Sequence, residues 1–179
     1  MTSSKQFPPI YYLGIDLGKT GGLALLNSAG KIVTYKAMPE TPEEIIKSLI
    51  NLCSWALEGE VQASVHIVME SVSPRPEEGV VSVATFAKHC GGVYYTCIMI
   101  HLTMDGVQFP SRIAPMLWKK TFGLIDSKAS KYEKKKASVD FVNARYKQGF
   151  KYKDNGITDA ILIAEHARLE VENAQQECS

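Results

Sequence analysis

The sequence has 179 residues, of which 45% are hydrophobic, which is enough for the core of one domain. It contains no apolar stretch long enough to span a bilayer, no signal peptide and no C-x-x-C pair among its four cysteines. We therefore expect a soluble intracellular protein, and neither a zinc ribbon nor a disulfide-stapled secreted domain.

The chain contains a strongly basic segment, although its formal net charge is only +1. Between Arg112 and Lys153 the sequence has twelve lysines and arginines but only three acidic residues, so the rest of the chain is acidic. Such a segment is typical of proteins that bind a phosphate backbone. A solvated lysine-rich helix has the same composition, so charge alone leaves both interpretations open.

The stretch Tyr11–Asn27 predicts a β-hairpin, because an apolar run ends in Asp16, a glycine-rich turn follows and a second apolar run resumes. A third strand near Lys31–Lys36 would extend it to an antiparallel meander. A buried carboxylate at a strand end needs a cation or hydrogen-bond donors, so Asp16 is a candidate metal ligand. The alternative is that Asp16 caps its own turn through Gly18.

A second acidic strand end follows the first predicted helix. Residues Thr41–Glu44 have the pattern of a capping box with proline at the first helical position, and this helix should end near Glu58. The apolar strand His66–Glu70 comes next. A strand after a crossover helix is usually parallel to its predecessor, which would bring Glu70 to the same sheet end as Asp16.

The middle of the chain predicts one helix and two further strands. The helix spans about Val80–Cys90 and stops at Gly91-Gly92. A strand at Val93–Ile100 follows, and Phe109–Ile113 forms the last strand.

Two helices are predicted in the basic segment. The first has Pro115 in its first turn and ends at Gly123. The second opens with the capping box Ser130–Glu133, carries Lys134–Lys136 and runs to about Tyr146. Lysines at a helix start oppose the helix macrodipole, so an external anion would explain them.

The last predicted helix spans about Ile157–Glu172, is capped by Asp154–Gly156 and has Asp159 in its first turn. In the order and spacing of four motifs, the chain resembles the RuvC-type Holliday junction resolvases of the RNase H-like superfamily, in particular the phage and plant-organelle branch. The motifs, which extend over nearly the whole chain, are Gly14-Ile15-Asp16, Met69-Glu70, Pro115-x-x-Trp118-Lys119 and Thr158–Glu165.

The resemblance implies an α/β RNase H-like fold with a mixed five-stranded sheet flanked by helices. From length and composition we expect one domain over residues 1–179, with disordered tails at 1–8 and 173–179. The resemblance also implies a structure-selective endodeoxyribonuclease that resolves branched DNA by paired nicks and leaves 5′-phosphate and 3′-hydroxyl ends. Asp16, Glu70 and Asp159 would hold two Mg²⁺ ions, for which Mn²⁺ can substitute. Lys119 would support the charge of the scissile phosphate.

The resemblance further implies the partners. Five basic residues would contact the phosphates of a four-way junction: Lys119, Lys131, Lys135, Lys128 and Arg75. The loop Val72–Val81 would probe the junction. A four-way junction is two-fold symmetric and must be cut twice, which favours a homodimer with its interface on or near the helix after this loop. We expect no membrane partner, and a location in the cytoplasm of a bacterial cell or phage-infected host, or in an organelle.

The fourth metal-ligand position departs from the family pattern. Relatives of this branch often have an acid a few residues before the final aspartate, where this chain has Asn155 and has the acid Asp154 one residue earlier. Three alternatives are open. Asp154 is the metal ligand in place of Asn155, Asn155 coordinates the metal through its neutral carbonyl oxygen, or Asn155 is an inactivating replacement, natural or introduced. A purely structural role, in which both residues cap the helix, is a further alternative.

Two other functions stay open at this point. Gly-Ile-Asp-Leu-Gly also opens actin-like ATPases, in which residues 16–21 would hold nucleotide phosphates, but that fold needs two such lobes and this chain supplies one. The second alternative is a junction-binding RNase H-like protein without catalytic activity, because Asn155 lacks the charge of a carboxylate.

Overall fold

The computed structural model describes residues 8–59, 62–71 and 79–177. In these ranges five strands form one sheet: β1 Ile10–Asp16, β2 Gly22–Asn27, β3 Ile32–Ala37, β4 Ser64–Glu70 and β5 Ser111–Ile113. The strand order is β3-β2-β1-β4-β5. The first three strands pair antiparallel, whereas β4 runs parallel to β1 and β5 runs parallel to β4. The mixed five-stranded sheet that we expected is therefore confirmed.

Within the same ranges, helices cover both faces of the sheet. They are α1 Pro42–Leu57, α2 Val80–Thr103, α3 Pro115–Thr121, α4 Lys131–Tyr146 and α5 Asn155–Glu177, with a short 3₁₀ turn, Tyr152–Asp154, before α5. α1 and α2 pack on one face around Leu13 and Ile15. α3, α4 and α5 pack on the other face around Trp118, Val142 and Ile161. No helix in the described part of the chain combines the length and apolarity needed to cross a membrane.

The predicted meander and the parallel crossover are both confirmed. In the β1–β4 pair Ile15 lies opposite Met69, so the acids that end these strands reach the same end of the sheet. The turn after β1 contains Gly18 with a φ of 122°, a backbone conformation that L side chains rarely adopt. A hydrogen bond from the Gly21 N–H to the Gly18 carbonyl closes this turn.

Both predicted capping boxes are present. The Thr41 hydroxyl accepts a hydrogen bond from the Glu44 N–H at 3.2 Å, and the Glu44 carboxylate accepts one from the Thr41 N–H. Ser130 and Glu133 make the same reciprocal pair at the start of α4. Each pair satisfies two backbone donors that the helix itself cannot satisfy, which fixes where α1 and α4 begin.

The predictions for the middle of the chain were wrong in one respect. α2 runs without interruption through Gly91-Gly92, so residues 93–100 are helical and do not form a strand. Val93, Cys97 and Ile100 are buried at helical spacing. Their apolar face outweighs the roughly 1 kcal/mol that each interior glycine costs a helix.

Smaller differences concern the ends of elements. β5 covers only the last three residues of the predicted strand, because Phe109 is exposed and Pro110 has no N–H to donate to a neighbour. α5 begins at Asn155, two residues earlier than predicted, and continues to Glu177. Residues 173–177, which we expected in a tail, are therefore helical.

Glycines let α5 approach the β1–β2 hairpin closely. A Cβ atom at Gly14 would collide with the carbonyl oxygen of Ala160 in α5, and one at Gly156 would collide with the Thr20 carbonyl oxygen in the hairpin turn. The first turn of α5 therefore rests directly against the turn that follows β1. This close packing brings Asp159 to the end of β1.

Candidate active site

Three carboxylates interact at one end of the sheet. Asp16 ends β1, Glu70 ends the neighbouring strand β4, and Asp159 lies on α5 one turn after its first residue, Asn155. Burial raises the pKa of Asp16 well above its ordinary value, and the negative charges of Asp159 and Glu70 raise that pKa further. Because like charges in a partly buried site repel, a cation between these acids would lower the free energy of the site.

The Asp159 carboxylate has the same electrostatic character. The pKa of Asp159 is raised to about 6, mainly by burial and also by the Glu70 charge, although a hydrogen bond with the Ser138 side chain opposes the rise. Oδ1 of Asp159 is buried without a hydrogen-bond partner among the described residues. An ion or an ordered water is the usual explanation for such an oxygen, and clustered acids favour the ion.

Two lysines offset part of the negative charge. Lys119 of α3 and Lys135 of α4 each lower the pKa of both Asp16 and Asp159. The Nζ atom of Lys119 lies 4.8 Å from the centre of the Trp118 ring, a cation–π contact that restrains the ammonium group. Two of the five predicted DNA-contacting residues thus act directly on the carboxylate cluster.

Glu70 is held by a tryptophan. The indole Nε1–H of Trp118 donates a hydrogen bond of 3.0 Å to Oε1 of Glu70, and the Trp118 side chain is fully buried between α3 and the sheet. A buried indole whose N–H has a partner is fixed in orientation. The contact therefore fixes one oxygen of Glu70 and ties the middle of α3 to the end of β4.

The two candidates for a fourth ligand have different surroundings. Asn155 is 8% exposed, and its Oδ1 accepts a hydrogen bond of 3.3 Å from Nζ of Lys135. Oδ2 of Asp154 instead accepts a hydrogen bond of 2.8 Å from the backbone N–H of Lys151, which caps the 3₁₀ turn. Asn155 thus contacts a lysine of the cluster, whereas Asp154 caps the 3₁₀ turn and not α5, the helix that we expected it to cap in the structural alternative.

The other predicted DNA contacts lie elsewhere. Lys128 and Lys131 are exposed just before and at the start of α4, and the backbone N–H of Lys128 donates to Asp126 at 2.8 Å. Arg75 and residues 72–78 of the predicted probing loop lie outside the described residues. The structure therefore brings Lys119 and Lys135 to the carboxylates and leaves Lys128 and Lys131 exposed on the surface.

The donor set of the cluster fits a divalent cation in its chemistry. Across the parts of the chain that the structure describes, no three His, Cys, Asp or Glu side chains are close enough to hold one metal ion as they stand. Asp16, Glu70 and Asp159 nevertheless repel one another electrostatically, and one oxygen of Asp159 has no donor. Binding an ion would require these side chains to draw closer together, which a dication between them would favour.

Comparison with known proteins identifies the fold. No protein-family model matches the sequence, and a search of curated proteins found no match. Solved structures do match: Thermus thermophilus RuvC in complex with a Holliday junction substrate has a TM-score of 0.58 at 13% identity, over 92% of this chain and 96% of that one. The chain has the RuvC fold. A second structure of Thermus thermophilus RuvC has a TM-score of 0.56 at 16% identity, over 92% of this chain and 96% of that one. The yeast mitochondrial Holliday junction resolvase Ydc2 has a TM-score of 0.50 at 13% identity, over 94% of this chain and 82% of that one.

Within this RuvC fold, two contacts of the site escaped the sequence analysis. Trp118 was part of a recognised motif, but its hydrogen bond to Glu70 was not predicted. Ser138, which bonds to Asp159, was not considered at all. The signal for Ser138 is its position three residues after Lys135 on α4, since residues at that spacing share one face of a helix.

Proposed function

We propose that this chain is a structure-selective endodeoxyribonuclease that resolves four-way DNA junctions by paired, metal-dependent nicks. The observation that carries the proposal is the electrostatic coupling of Asp16, Glu70 and Asp159 at one sheet end, with Lys119 and Lys135 acting on the same carboxylates. The fold supports the substrate class, because one structure with this fold is a RuvC bound to a Holliday junction substrate.

The reaction makes two electrostatic demands. Hydrolysis of a phosphodiester needs a deprotonated water on one side of the phosphorus and a stabilised leaving oxygen on the other, which gives 5′-phosphate and 3′-hydroxyl ends when the 3′ oxygen leaves. When bound, two Mg²⁺ ions, or Mn²⁺ in their place, would promote deprotonation of the water and would stabilise the leaving oxygen. Asp16, Glu70 and Asp159 would hold them.

The protein side chains have separate roles in this proposal. Trp118 orients Glu70 through its indole N–H, and Ser138 orients Asp159. Lys119, restrained over the Trp118 ring, would face the added negative charge of the phosphate as water attacks. Lys135 would position the DNA strand by a phosphate contact, since it lies at the edge of the cluster on a helix rich in lysine.

A second candidate function rests on one observation. Asn155 presents a neutral oxygen to Lys135 where related resolvases often have an acid. With a weakened metal site, the chain would bind junctions without cutting them. This candidate shares the DNA surface with the first and differs from it only in the metal chemistry.

One experiment separates the two candidates. A labelled synthetic four-way junction is incubated with the parent chain and with Asp16→Asn, with Mg²⁺ and with EDTA. We expect the parent to cut only with Mg²⁺, and the variant to cut at least about 100-fold more slowly, because a ligand charge is lost. Binding of the variant should be equal to or tighter than that of the parent, since less negative charge faces the phosphates.

Asp105→Asn is the matched control. Asp105 is exposed in the loop after α2, so this change removes the same charge away from the cluster and should leave cleavage unchanged. Parental cutting by Asp16→Asn would contradict the metal assignment. Tight junction binding by the parent without any cleavage would favour the second candidate.

A further inference from the structure

Two tyrosines form an exposed stacked pair beside the candidate active site. Tyr132 is the second residue of α4, and Tyr152 begins the 3₁₀ turn before α5. Their ring centroids are 4.7 Å apart with an interplanar angle of 28°. The two residues are nevertheless 55% and 40% exposed, so a large aromatic surface faces solvent.

Each tyrosine lies one helical turn before a residue at the edge of the candidate active site, and these two residues contact each other. Lys135, three residues after Tyr132, donates to Oδ1 of Asn155, which is three residues after Tyr152. Lys135 in turn acts on the Asp16 carboxylate. A strand whose phosphate reached Lys135 would therefore pass next to the two rings.

The surface around the rings is basic. Lys131 precedes Tyr132 in the sequence, and Lys151 and Lys153 flank Tyr152. All three lysines are exposed. Aromatic rings interleaved with lysines are typical of surfaces that bind nucleic-acid strands, in which lysines contact phosphates and rings stack on bases.

A structural role alone does not require this exposure. The joint between α4 and the 3₁₀ turn is already held by two hydrogen bonds between Asn143 and Phe150, at 2.8 and 2.9 Å. On the other side of Tyr152 it is held by the contact between Lys135 and Asn155. Solvent-exposed aromatic surface is retained here although other contacts fix the backbone on both sides.

We propose that the tyrosine pair, Tyr132 and Tyr152, is a stacking platform for a nucleobase of the DNA strand that enters the candidate active site. The occupant is an unpaired or splayed base, because only such a base presents its flat face to a protein ring. This inference rests on the proposed function and adds a base contact to a surface that otherwise binds phosphates. It assigns recognition of the open branch point to the α4 side of the site.

The test compares affinity and its salt dependence. The parent, Tyr132→Leu, Tyr152→Leu and Tyr132→Phe are titrated onto a labelled four-way junction in Ca²⁺, at several KCl concentrations. We expect each leucine variant to bind about tenfold more weakly, because stacking contributes on the order of 1–3 kcal/mol per base. The slope of log affinity against log salt should stay unchanged, and Tyr132→Phe should bind like the parent.

Two further variants serve as controls. Lys131→Ala should lose affinity with a shallower salt slope, as a lost phosphate contact does. Trp55→Leu removes an exposed aromatic ring from α1, on the opposite face of the sheet, and should bind like the parent. Together they separate stacking from charge and from the general loss of aromatic surface.

A scan of the DNA makes the test independent of protein folding. Single abasic sites are placed at each nucleotide near the branch point and bound to the parent. At the stacked nucleotide an abasic site should weaken binding by about tenfold, and it should cost Tyr132→Leu nothing more. If no abasic site changes parental affinity by more than about twofold, the inference is overturned.

The outcomes distinguish this inference from the proposed function. Junction binding with a steep salt slope, together with parental affinity in both leucine variants, would overturn only the stacking platform. An equal loss for plain duplex and junction would also overturn it, because duplex bases are not open to stacking. Absence of any junction binding by the parent would overturn the proposed function and this inference together.

Discussion

At the scale of single residues, Asn155 contacts a lysine that also acts on the carboxylates. Its side chain is nearly buried, its oxygen accepts from Lys135, and Asp159 follows one turn later on α5. A carboxylate at this position would add a full negative charge to the cluster, whereas the amide adds only a dipole. The charge difference should affect Mg²⁺ binding more than folding, because both side chains have the same shape.

We predict that Asn155→Asp raises Mg²⁺-dependent cleavage of a four-way junction. A charged oxygen ligand binds Mg²⁺ more tightly than a neutral one, so the rate should rise by about tenfold or more and half-saturation should need less Mg²⁺. Single-turnover cleavage across a Mg²⁺ titration measures both quantities.

Asp154→Ala is the control for this prediction. Because Asp154 caps the 3₁₀ turn, its loss should lower the free energy of unfolding by about 1 kcal/mol and should change the cleavage rate little. An unchanged rate in Asn155→Asp combined with abolished cleavage in Asp154→Ala would make Asp154 the ligand and contradict the assignment of Asn155.

At the scale of elements, α3 and α4 hold lysines rigidly beside the carboxylates. α3 is tied to α5 by a hydrogen bond of 2.9 Å between Thr121 and Nδ1 of His166, in addition to its buried tryptophan. α4 is tied to α5 by an ion pair of Arg145 with the fully buried Glu165. Lysines on anchored helices lose little further freedom when they bind phosphates, which favours affinity.

We predict that lysines of these helices set the salt dependence of junction binding. Lys119→Ala, Lys131→Ala and Lys135→Ala should each weaken binding, and the triple variant should reduce the log–log salt slope by about 0.9 for every phosphate contact that is lost. Affinity is measured in Ca²⁺ across a range of KCl concentrations.

Lys47→Ala is the matched control, since Lys47 is exposed on α1 on the opposite face of the sheet. It should leave both affinity and slope unchanged. An unaltered slope in the triple variant would show that the basic segment does not face the DNA.

The elements that were predicted correctly are those whose ends have local chemical signals. Thr41 and Ser130 define helix starts through hydrogen bonds within four residues, so the sequence alone locates them. The strand predicted at Val93–Ile100 failed because a short apolar run fits a buried strand and a buried helix equally well. Only packing against the sheet, which buries Val93 and Cys97 on one face of α2, decides between them.

The sequence predicts the acids of the candidate site but not the side-chain contacts around them. Asp16 and Glu70 follow from the parallel pairing of two strands, which the sequence pattern indicates. The bond from Trp118 to Glu70 joins residues 48 positions apart, and the pairing of Lys135 with Asn155 depends on how α4 packs on α5. Contacts of this kind depend on helix packing and leave no local pattern.

At the scale of the whole molecule, α2 and α1 share an exposed apolar surface. Tyr95 and Leu102 of α2 are 69% and 68% exposed, and Tyr95 and Met99 line a groove of about 450 Å³ with Ile46 and Ile50 of α1. Exposed apolar residues in such number often mark a protein interface. This surface lies on the C-terminal half of α2, the helix whose N-terminal half we expected to carry the homodimer contact.

We predict a homodimer in solution that forms through this surface. Leu102→Glu should shift the chain to monomer, because a charge buried in an apolar interface is costly, and it should reduce paired nicking of a junction more than single nicking. Light scattering over a series of protein concentrations measures the oligomeric state.

Met116→Glu is the control, since Met116 is 60% exposed on α3 on the other side of the sheet. It should leave the dimer intact. A parent chain that is strictly monomeric with and without DNA would contradict the prediction.

The spacing of the three acids along the chain has a consequence for biosynthesis. Asp16 and Glu70 lie on strands that leave the ribosome before α5, the helix to which Asp159 belongs. A nascent chain that stops before Asn155 has two of the acids, but lacks the third and the contact that Lys135 makes with α5. Under the proposed function, a partly synthesised chain would therefore be harmless to DNA, and cleavage would begin only once translation has passed α5.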